Sequence, residues 1–438
     1  MLRAPWIVSI TVQGSCTDPK EIPTVDVANE HIEIGHRTEH LGDRLARLRR
    51  LADMTQEGLA ERSGISADVI RKLEQHRKHS VRLPTLHKLA AGLGVEVTGL
   101  LGDPPALLNR EAESPALVAV RRAIMPSPLT VPPEPAGAEP LSLGLLKAEI
   151  AEGWTLYHAA EFGQLMQALP GIIADARLAV AVGQGAQRLA AHAALGKALQ
   201  LGGHLALRLG KTDLALSSLE RALLAADSAE DRLVAAMVSN STAWAYQRQN
   251  RLDDAQQLAV CAADGVERDG LGTTDEVRVW GGLLISAATS TARNGDYEQA
   301  SDMLKVAEGT AGRLARLPPP VDSKMVSVFN RSAVRIERIR LAVQYDRPEQ
   351  ALSLARGIRL SPDTPPSWRT WLLLDVARAY TDLGDAERAV KALETLHRRA
   401  PQWMRHHTLA VAIVRDLWAG AARPPGLRRL AEFLGVVG

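Results

Sequence analysis

The chain has 438 residues, 46% of them hydrophobic and 4% aromatic, and a formal net charge of +2. The length allows two or more domains, and the composition favours helices packed through small side chains over β-sandwiches. Because the net charge is near zero, affinity for nucleic acid has to come from a local basic cluster and not from the overall charge.

Residues 1–40 show no sustained periodicity and are predicted to form a disordered N-terminal extension. Their one apolar run, "WIVSITV", is too short to span a bilayer, and no later stretch approaches eighteen uninterrupted apolar residues. Cys16 and Cys261 lie far apart and match no metal or redox spacing. We therefore predict a soluble cytoplasmic protein with no membrane contact.

Residues 41–103 are predicted to form a compact set of five helices. The central stretch, "MTQEGLAERSGISADVIRKLE", contains two short helices joined by a tight turn. Thr55 and Ser66 are placed to cap these helices, and Gly64 permits the turn between them. The second of the two buries Ile70 and neighbouring apolar residues, which leaves its polar face without a partner in the core.

Basic residues cluster on and after that second helix. Residues 41–103 contain eleven Lys and Arg and eight Asp and Glu, a net charge of +3, and five of the cations fall between Arg71 and Arg82. Alone, such a run is best explained as a solvated helix face. Combined with two capped helices at this spacing, it favours contacts with phosphates.

The segment resembles the phage-repressor-like (XRE-type) helix-turn-helix family. The resemblance rests on Gln56, Leu59, Ala60, Gly64, Ile65, Ser66, Ile70, Leu73 and Glu74, followed by "PTLHKLAAGLGV". It implies that the second helix enters the major groove of double-stranded DNA. Carried over by position, Gln56 would contact a phosphate. The base-reading or groove-lining set would be Ser66, Ala67, Asp68, Arg71 and Lys72, and the sugar-phosphate contacts would be Arg77, Lys78 and Arg82.

Residues 104–140 are rich in proline and are predicted to form a semi-rigid linker. Within this linker, residues 115–125 have the pattern of a short docking helix. The linker is expected to leave the domains on either side free to reorient.

Residues 141–438 show a repeated pattern of helices. Five loops place Gly, Asn or Asp five positions before an alanine, and four of the five preceding helices have a small residue twelve positions before it. The loops are "GKTDLA" (210–215), "NRLDDA" (250–255), "GDYEQA" (295–300), "DRPEQA" (346–351) and "GDAERA" (384–389). The pattern resembles degenerate tetratricopeptide repeats and predicts an α-helical solenoid, because stacked repeats bury the apolar faces that single repeats expose.

The inner face of this solenoid is the second candidate site. Its predicted residues are Lys197, Gln200, His204, Asn240, Trp244, Gln247, Thr289, Arg340, Trp371 and Arg378. Five of them, Asn240, Trp244, Gln247, Arg340 and Arg378, are predicted to bind a peptide or small-molecule effector, by resemblance to peptide-binding tetratricopeptide proteins. The alternative is that the tryptophans pack between repeats and the polar side chains are only solvated.

The motif search favours no enzyme class. The chain has no HExxH sequence, nucleophile elbow or Walker-type glycine loop, so we predict no catalytic residues, no metal site and no cofactor.

The combined interpretation is an all-α DNA-binding transcriptional regulator, most similar to actinobacterial XRE-type regulators with C-terminal tetratricopeptide-like repeats. One helix-turn-helix unit covers little DNA, so a homodimer is expected, with the repeats as its interface. The alternative function is a protein-interaction scaffold or antagonist with a vestigial helix-turn-helix.

Overall fold

The structure is a computed structural model. It describes residues 40–52, 54–78, 81–95, 97–101, 114–127, 141–268, 270–318, 328–362, 364–405 and 407–437. Residues 1–39 of the predicted N-terminal extension lie outside these ranges. Every regular element in the described ranges is a helix, which confirms the predicted all-α class.

Five helices form the predicted helix-turn-helix domain. They are α1 (Leu41–Leu51), α2 (Gln56–Ser63), α3 (Ala67–Glu74), α4 (Leu83–Leu93) and α5 (Val97–Leu101). Both predicted caps are confirmed, since Thr55 Oγ1 accepts from Gly58 N at 2.9 Å and Ser66 Oγ accepts from Val69 N at 3.4 Å. Gly64 adopts a φ of 64° between α2 and α3, a backbone region in which other side chains are strained.

Six helix hairpins follow, and three further helices complete the C-terminal part. The hairpins are α7 (Leu143–Ala159) with α8 (Phe162–Val182), α9 (Gly185–Arg208) with α10 (Thr212–Ser228), α11 (Arg232–Arg248) with α12 (Leu252–Glu267), α13 (Thr274–Arg293) with α14 (Tyr297–Ala311), α15 (Arg331–Gln344) with α16 (Pro348–Ala355), and α17 (Pro366–Asp382) with α18 (Ala386–Arg399). The last three are α19 (Pro401–Arg405), α20 (Thr408–Ala419) and α21 (Leu427–Phe433), and a short 3₁₀ helix spans Leu314–Arg316.

The five predicted loops connect the helices of the second to sixth hairpins. All five turn residues take left-handed φ values between 59° and 103°, which reverse the chain tightly; they are Gly210, Asn250, Gly295, Asp346 and Gly384. The alanines five positions later are fully buried between the two helices of each hairpin. The sequence pattern did not detect the first hairpin, because the left-handed residue of its turn is Ala160, at a φ of 64°, and not Gly, Asn or Asp.

The first helices of the hairpins contact one another in the order α7, α9, α11, α13, α15 and α17, and α17 also contacts α7. The solenoid is therefore closed into a ring, and we call the space between these six helices the lumen. At the seam His158 Nδ1 lies 2.9 Å from Ser367 Oγ, and Trp403 Nε1 of α19 donates to the His158 carbonyl at 2.6 Å.

The predicted docking helix in the linker is present as α6 (Pro115–Ile124). Ser114 caps it, and its buried residues Leu117, Val120 and Ile124 pack against α8, α9 and α10. Among the described helices, α8 is the only one long and apolar enough to cross a membrane by length and composition, and it packs here against α6, α7 and α9.

The helix-turn-helix domain packs directly on the repeats, with α4 against α15 and α5 against α20. One continuous apolar cluster joins Leu86 and Leu89 of α4 to Ile336 and Val343 of α15. The sequence predicted domains free to reorient about a spacer. The structure instead places them in one compact unit, because the apolar side chains of both share a core.

Candidate functional site

The polar face of α3 is exposed. Asp68, Arg71 and Lys72 all lie at the surface, with about half or more of each side chain accessible to solvent. Arg71 lies 3.6 Å from Glu57, and Lys72 lies 2.7 Å from Asp68 on the same helix. Exposed pairs of this kind contribute only about 0–1 kcal/mol, so both cations are free to exchange their partners for phosphate or base edges.

Ser66 and Ala67 stand at the N-terminus of this helix, where the structure leaves Ser66 exposed and Ala67 half-buried. The N-terminal end of a helix presents backbone N–H groups and a partial positive charge to an approaching phosphate. The five predicted base-reading residues therefore share one accessible surface, which we call the α3 face.

Gln56 has a different environment. Its Nε2 donates to Glu74 Oε2 at 2.7 Å, and Arg49 binds the same carboxylate at 2.7 and 2.8 Å. Burial raises the pKa of Glu74, but the hydrogen bonds from Arg49 and Gln56 outweigh it and hold that pKa below its usual range. In this structure Gln56 ties the start of α2 to the end of α3.

The loop after α3 carries the predicted sugar-phosphate contacts. Arg77 and Lys78 are exposed. His76, at a left-handed φ of 58°, contacts Asp43 through Nε2 at 2.8 Å and anchors the loop to α1. Arg82 is drawn away from this surface and forms an ion pair with Asp346, in the turn between α15 and α16.

The lumen is occupied by aromatic side chains around Arg208 of α9. The Arg208 guanidinium lies 4.6 Å from the ring centre of Trp403, 5.1 Å from Trp244, 5.8 Å from Trp371 and 5.9 Å from Tyr157. Cation–π contacts of this kind contribute about 0.5–2 kcal/mol each. Arg208 therefore joins four separate helices across the ring. The sequence analysis missed it because an arginine on a degenerate repeat helix has no distinguishing motif.

The predicted effector residues differ in their environments. Arg340 lies 4.9 Å from the ring centre of Trp371, Trp244 contacts Arg208, and Asn240 is half-buried on α11. Gln247 is buried and donates to the Ser286 carbonyl at 3.0 Å, which makes it a contact between repeats.

Arg378 lies one turn along α17 from Asp375, which pairs with Arg340. It is buried at the contact with the helix-turn-helix domain and donates to the Val81 carbonyl at 3.1 Å. Gln247 and Arg378 thus make buried contacts with other elements in this structure, and the effector role of the five residues stays a prediction. Counting positions along degenerate repeats predicts on which face of its helix a residue lies. It does not predict which neighbouring helix or domain covers that face.

Little free space remains beside Arg340. Its guanidinium is 2.8 Å from Glu337 and 3.4 Å from Asp375, and the adjoining gap has a volume of about 10 Å³. Burial raises the pKa of Asp375 to about 7. A gap of this size holds about one water molecule.

Three histidines face the lumen cations. Burial, together with the charge of Arg208, lowers the pKa of His204 and His407 to about 3 and of His158 to about 4. All three are neutral in the folded state near neutral pH. In the unfolded chain a histidine titrates near pH 6.5.

We expect these histidines to make the fold sensitive to acid. A histidine with a depressed folded pKa contributes stability that is complete above its unfolded pKa and is lost as the pH falls towards its folded pKa. Between pH 7 and pH 5, each of the three histidines should lower the free energy of unfolding by about 1–2 kcal/mol. The raised pKa of Asp375 (about 7) and of Asp416 (about 6) opposes part of this loss, since both carboxyls take up protons over the same range.

Urea unfolding of the wild type and of His204→Gln at pH 7 and pH 5 measures this effect. Whatever the substitution costs at pH 7, the free energy of unfolding of the variant should fall by about 1–2 kcal/mol less than that of the wild type on acidification. Equal losses in the two proteins would show that His204 does not contribute to the pH dependence.

Residues 40–100 match the family model of a helix-turn-helix domain. No curated protein matches the chain. Two solved structures are similar at low sequence identity. BtubC (BKLC) from P. vanneervenii is 19% identical, and the match covers 53% of this chain and 90% of that chain, with a TM-score of 0.36. A Rap protein complexed with competence and sporulation factor is 13% identical, and the match covers 67% of this chain and 87% of that chain, with a TM-score of 0.41. Likenesses this distant carry no inference about function.

Proposed function

We propose that the protein is a sequence-specific DNA-binding transcriptional regulator that places α3 in the major groove. The observation that carries the proposal is the exposed α3 face within a matched helix-turn-helix domain. The exposed Arg77 and Lys78 lie directly after α3, where phosphates flank a groove-bound helix.

Binding to a duplex from the region upstream of the protein's own gene tests this proposal. Replacing Arg71 and Lys72 together by Ala should weaken specific binding, because each lost base contact costs about 1–3 kcal/mol. Replacing Lys78 by Ala should weaken binding to all sequences alike and reduce the slope of log K against log salt by about one.

Lys305→Ala is the matched control, because Lys305 is an exposed lysine of α14 paired with Asp302 and remote in sequence from α3. Lys305→Ala should bind the duplex with the same affinity as the wild type. Footprints unchanged by both the Arg71/Lys72 and the Lys78 substitutions would contradict the assignment of the α3 face. They would favour the second candidate, a scaffold with a vestigial helix-turn-helix.

The proposal extends to a homodimer and to effector sensing by the repeats. A single α3 face reads too few base pairs for high specificity, so two chains per duplex are expected, and the same titration gives the stoichiometry. An effector acts only if it binds the DNA-competent and incompetent arrangements with different affinity. We place this difference at the seam between α7 and α17, where the two ends of the repeat array meet.

A further inference from the structure

At least three polar contacts between described residues join the helix-turn-helix domain to the repeats, in addition to the shared apolar cluster. Arg378 of α17 donates to the Val81 carbonyl, Arg415 of α20 donates to the Leu101 carbonyl, and Arg82 pairs with Asp346. All three fall on segments that flank α4 and α5. We call this set of contacts the domain clamp.

The contact at Val81 is deeply buried. Arg378 is 2% exposed and Val81 4% exposed. The guanidinium is held by two carboxylates, Asp382 at 2.8 Å from Nη2 and Asp416 at 2.7 Å from Nη1. These carboxylates fix the direction of the Arg378 fork, so that Nη2 also reaches the Val81 carbonyl. A buried, doubly paired arginine gives a rigid and geometrically specific contact.

The contact at Leu101 lies at the C-terminal end of α5, where helix carbonyls lack partners within the helix. Arg44 of α1 donates to the Leu100 carbonyl at 2.8 Å and to the Leu101 carbonyl at 2.9 Å. Arg415 donates to the same Leu101 carbonyl at 3.1 Å. Two cations, one from each domain, thus meet at the negative end of one helix dipole.

We propose that the repeat array, through the domain clamp, sets the orientation of the DNA-binding helices. Val81 and Arg82 lie between the exposed loop after α3 and the first turn of α4. The clamp therefore holds the chain three residues beyond Lys78, which the proposed function assigns to a phosphate. Arg378 and Arg415 are positioning residues, because they act on the α3 face through the backbone of α4 and α5.

A distance measurement between the two domains tests the clamp without DNA. Spin labels are placed at Glu61→Cys on α2 and Glu220→Cys on α10, both exposed, in the full chain with Cys16 and Cys261 replaced by Ser. Pulsed electron paramagnetic resonance then gives the distance distribution. The wild-type clamp should give one narrow peak.

Two clamp variants are compared with a matched control. Arg378→Lys keeps a positive charge between the two carboxylates but loses the branched guanidinium that also reaches the Val81 carbonyl. Arg415→Met keeps the approximate length of the side chain but loses the N–H donor to the Leu101 carbonyl. Arg428→Met is the control, since Arg428 is exposed and pairs with Glu432 on its own helix, α21. Circular dichroism checks that each variant is folded.

We expect the distribution to broaden at least twofold in one or both clamp variants and to stay unchanged in Arg428→Met. A broad wild-type distribution, or wild-type widths in both folded clamp variants, would overturn the proposal. If Arg378→Lys fails to fold, Arg415→Met alone decides. Because no DNA is present, this result is independent of whether the α3 face reads DNA.

Discussion

Replacing Trp403 by Ala should lower the free energy of unfolding by about 3–5 kcal/mol, the usual cost of removing a large buried aromatic side chain. Trp403 is 1% exposed and lies in the core of the first hairpins, although it comes from α19 near the other end of the array. Its ring packs against Tyr157 and Phe162, and it also forms the closest cation–π contact of Arg208. The substitution should weaken the ring at its seam.

Chemical unfolding measures the loss of stability, and hydrogen exchange locates it. The amides of α7 should exchange faster in Trp403→Ala than in the wild type, because the helix loses its partner across the seam. Trp418→Ala is the control: Trp418 is a partly buried residue of α20 and belongs to a different apolar cluster. A loss of stability under 1 kcal/mol for Trp403→Ala, or unchanged exchange in α7, would show that the seam does not depend on this side chain.

Replacing Gly42 by Ala should unfold or displace α1 and abolish DNA binding. A Cβ atom at this position would lie 2.0 Å from the Leu73 carbonyl oxygen and 2.9 Å from its carbon. Both atoms belong to the backbone of α3, so no side-chain rotation relieves the clash. Overpacking of this kind costs about 3 kcal/mol or more, because α1 has to move away from the end of α3.

Gly99→Ala is the matched control in the same domain. A Cβ there has its nearest neighbour at 3.9 Å, and alanine in a helix is favoured over glycine by about 0.5–1 kcal/mol. Thermal unfolding of the full chain should therefore show a small gain in stability for Gly99→Ala and a large loss for Gly42→Ala. Binding to duplex DNA should be unchanged in Gly99→Ala and lost in Gly42→Ala. Similar melting curves for the two variants would contradict the close approach of α1 and α3.

Local features were predictable from the sequence. The caps Thr55 and Ser66, the turn at Gly64 and the left-handed residues of five hairpins each follow from a backbone requirement that few residue types satisfy. The XRE subtype, the linker boundaries and the base-reading roles of the α3 face remain predictions.

Long-range arrangement was not predictable in the same way. The contact of Trp403 with His158 and the clamp at Val81 join residues that are hundreds of positions apart, and their residue types carry no signal of their partners. Arg378 shows the difficulty. Repeat spacing placed it with the effector residues, but the repeat array curves so that α17 meets the helix-turn-helix domain.

The closed ring changes how the array should fold. An open solenoid can nucleate at any repeat and grow by contacts between neighbours, so the loss of a terminal repeat removes one interface. Here His158 and Ser367 meet across 209 residues of chain. Such a contact is costly in loop entropy and forms only after the intervening hairpins are in place. Deleting either end would therefore remove two interfaces instead of one, and terminal truncations should be tolerated poorly.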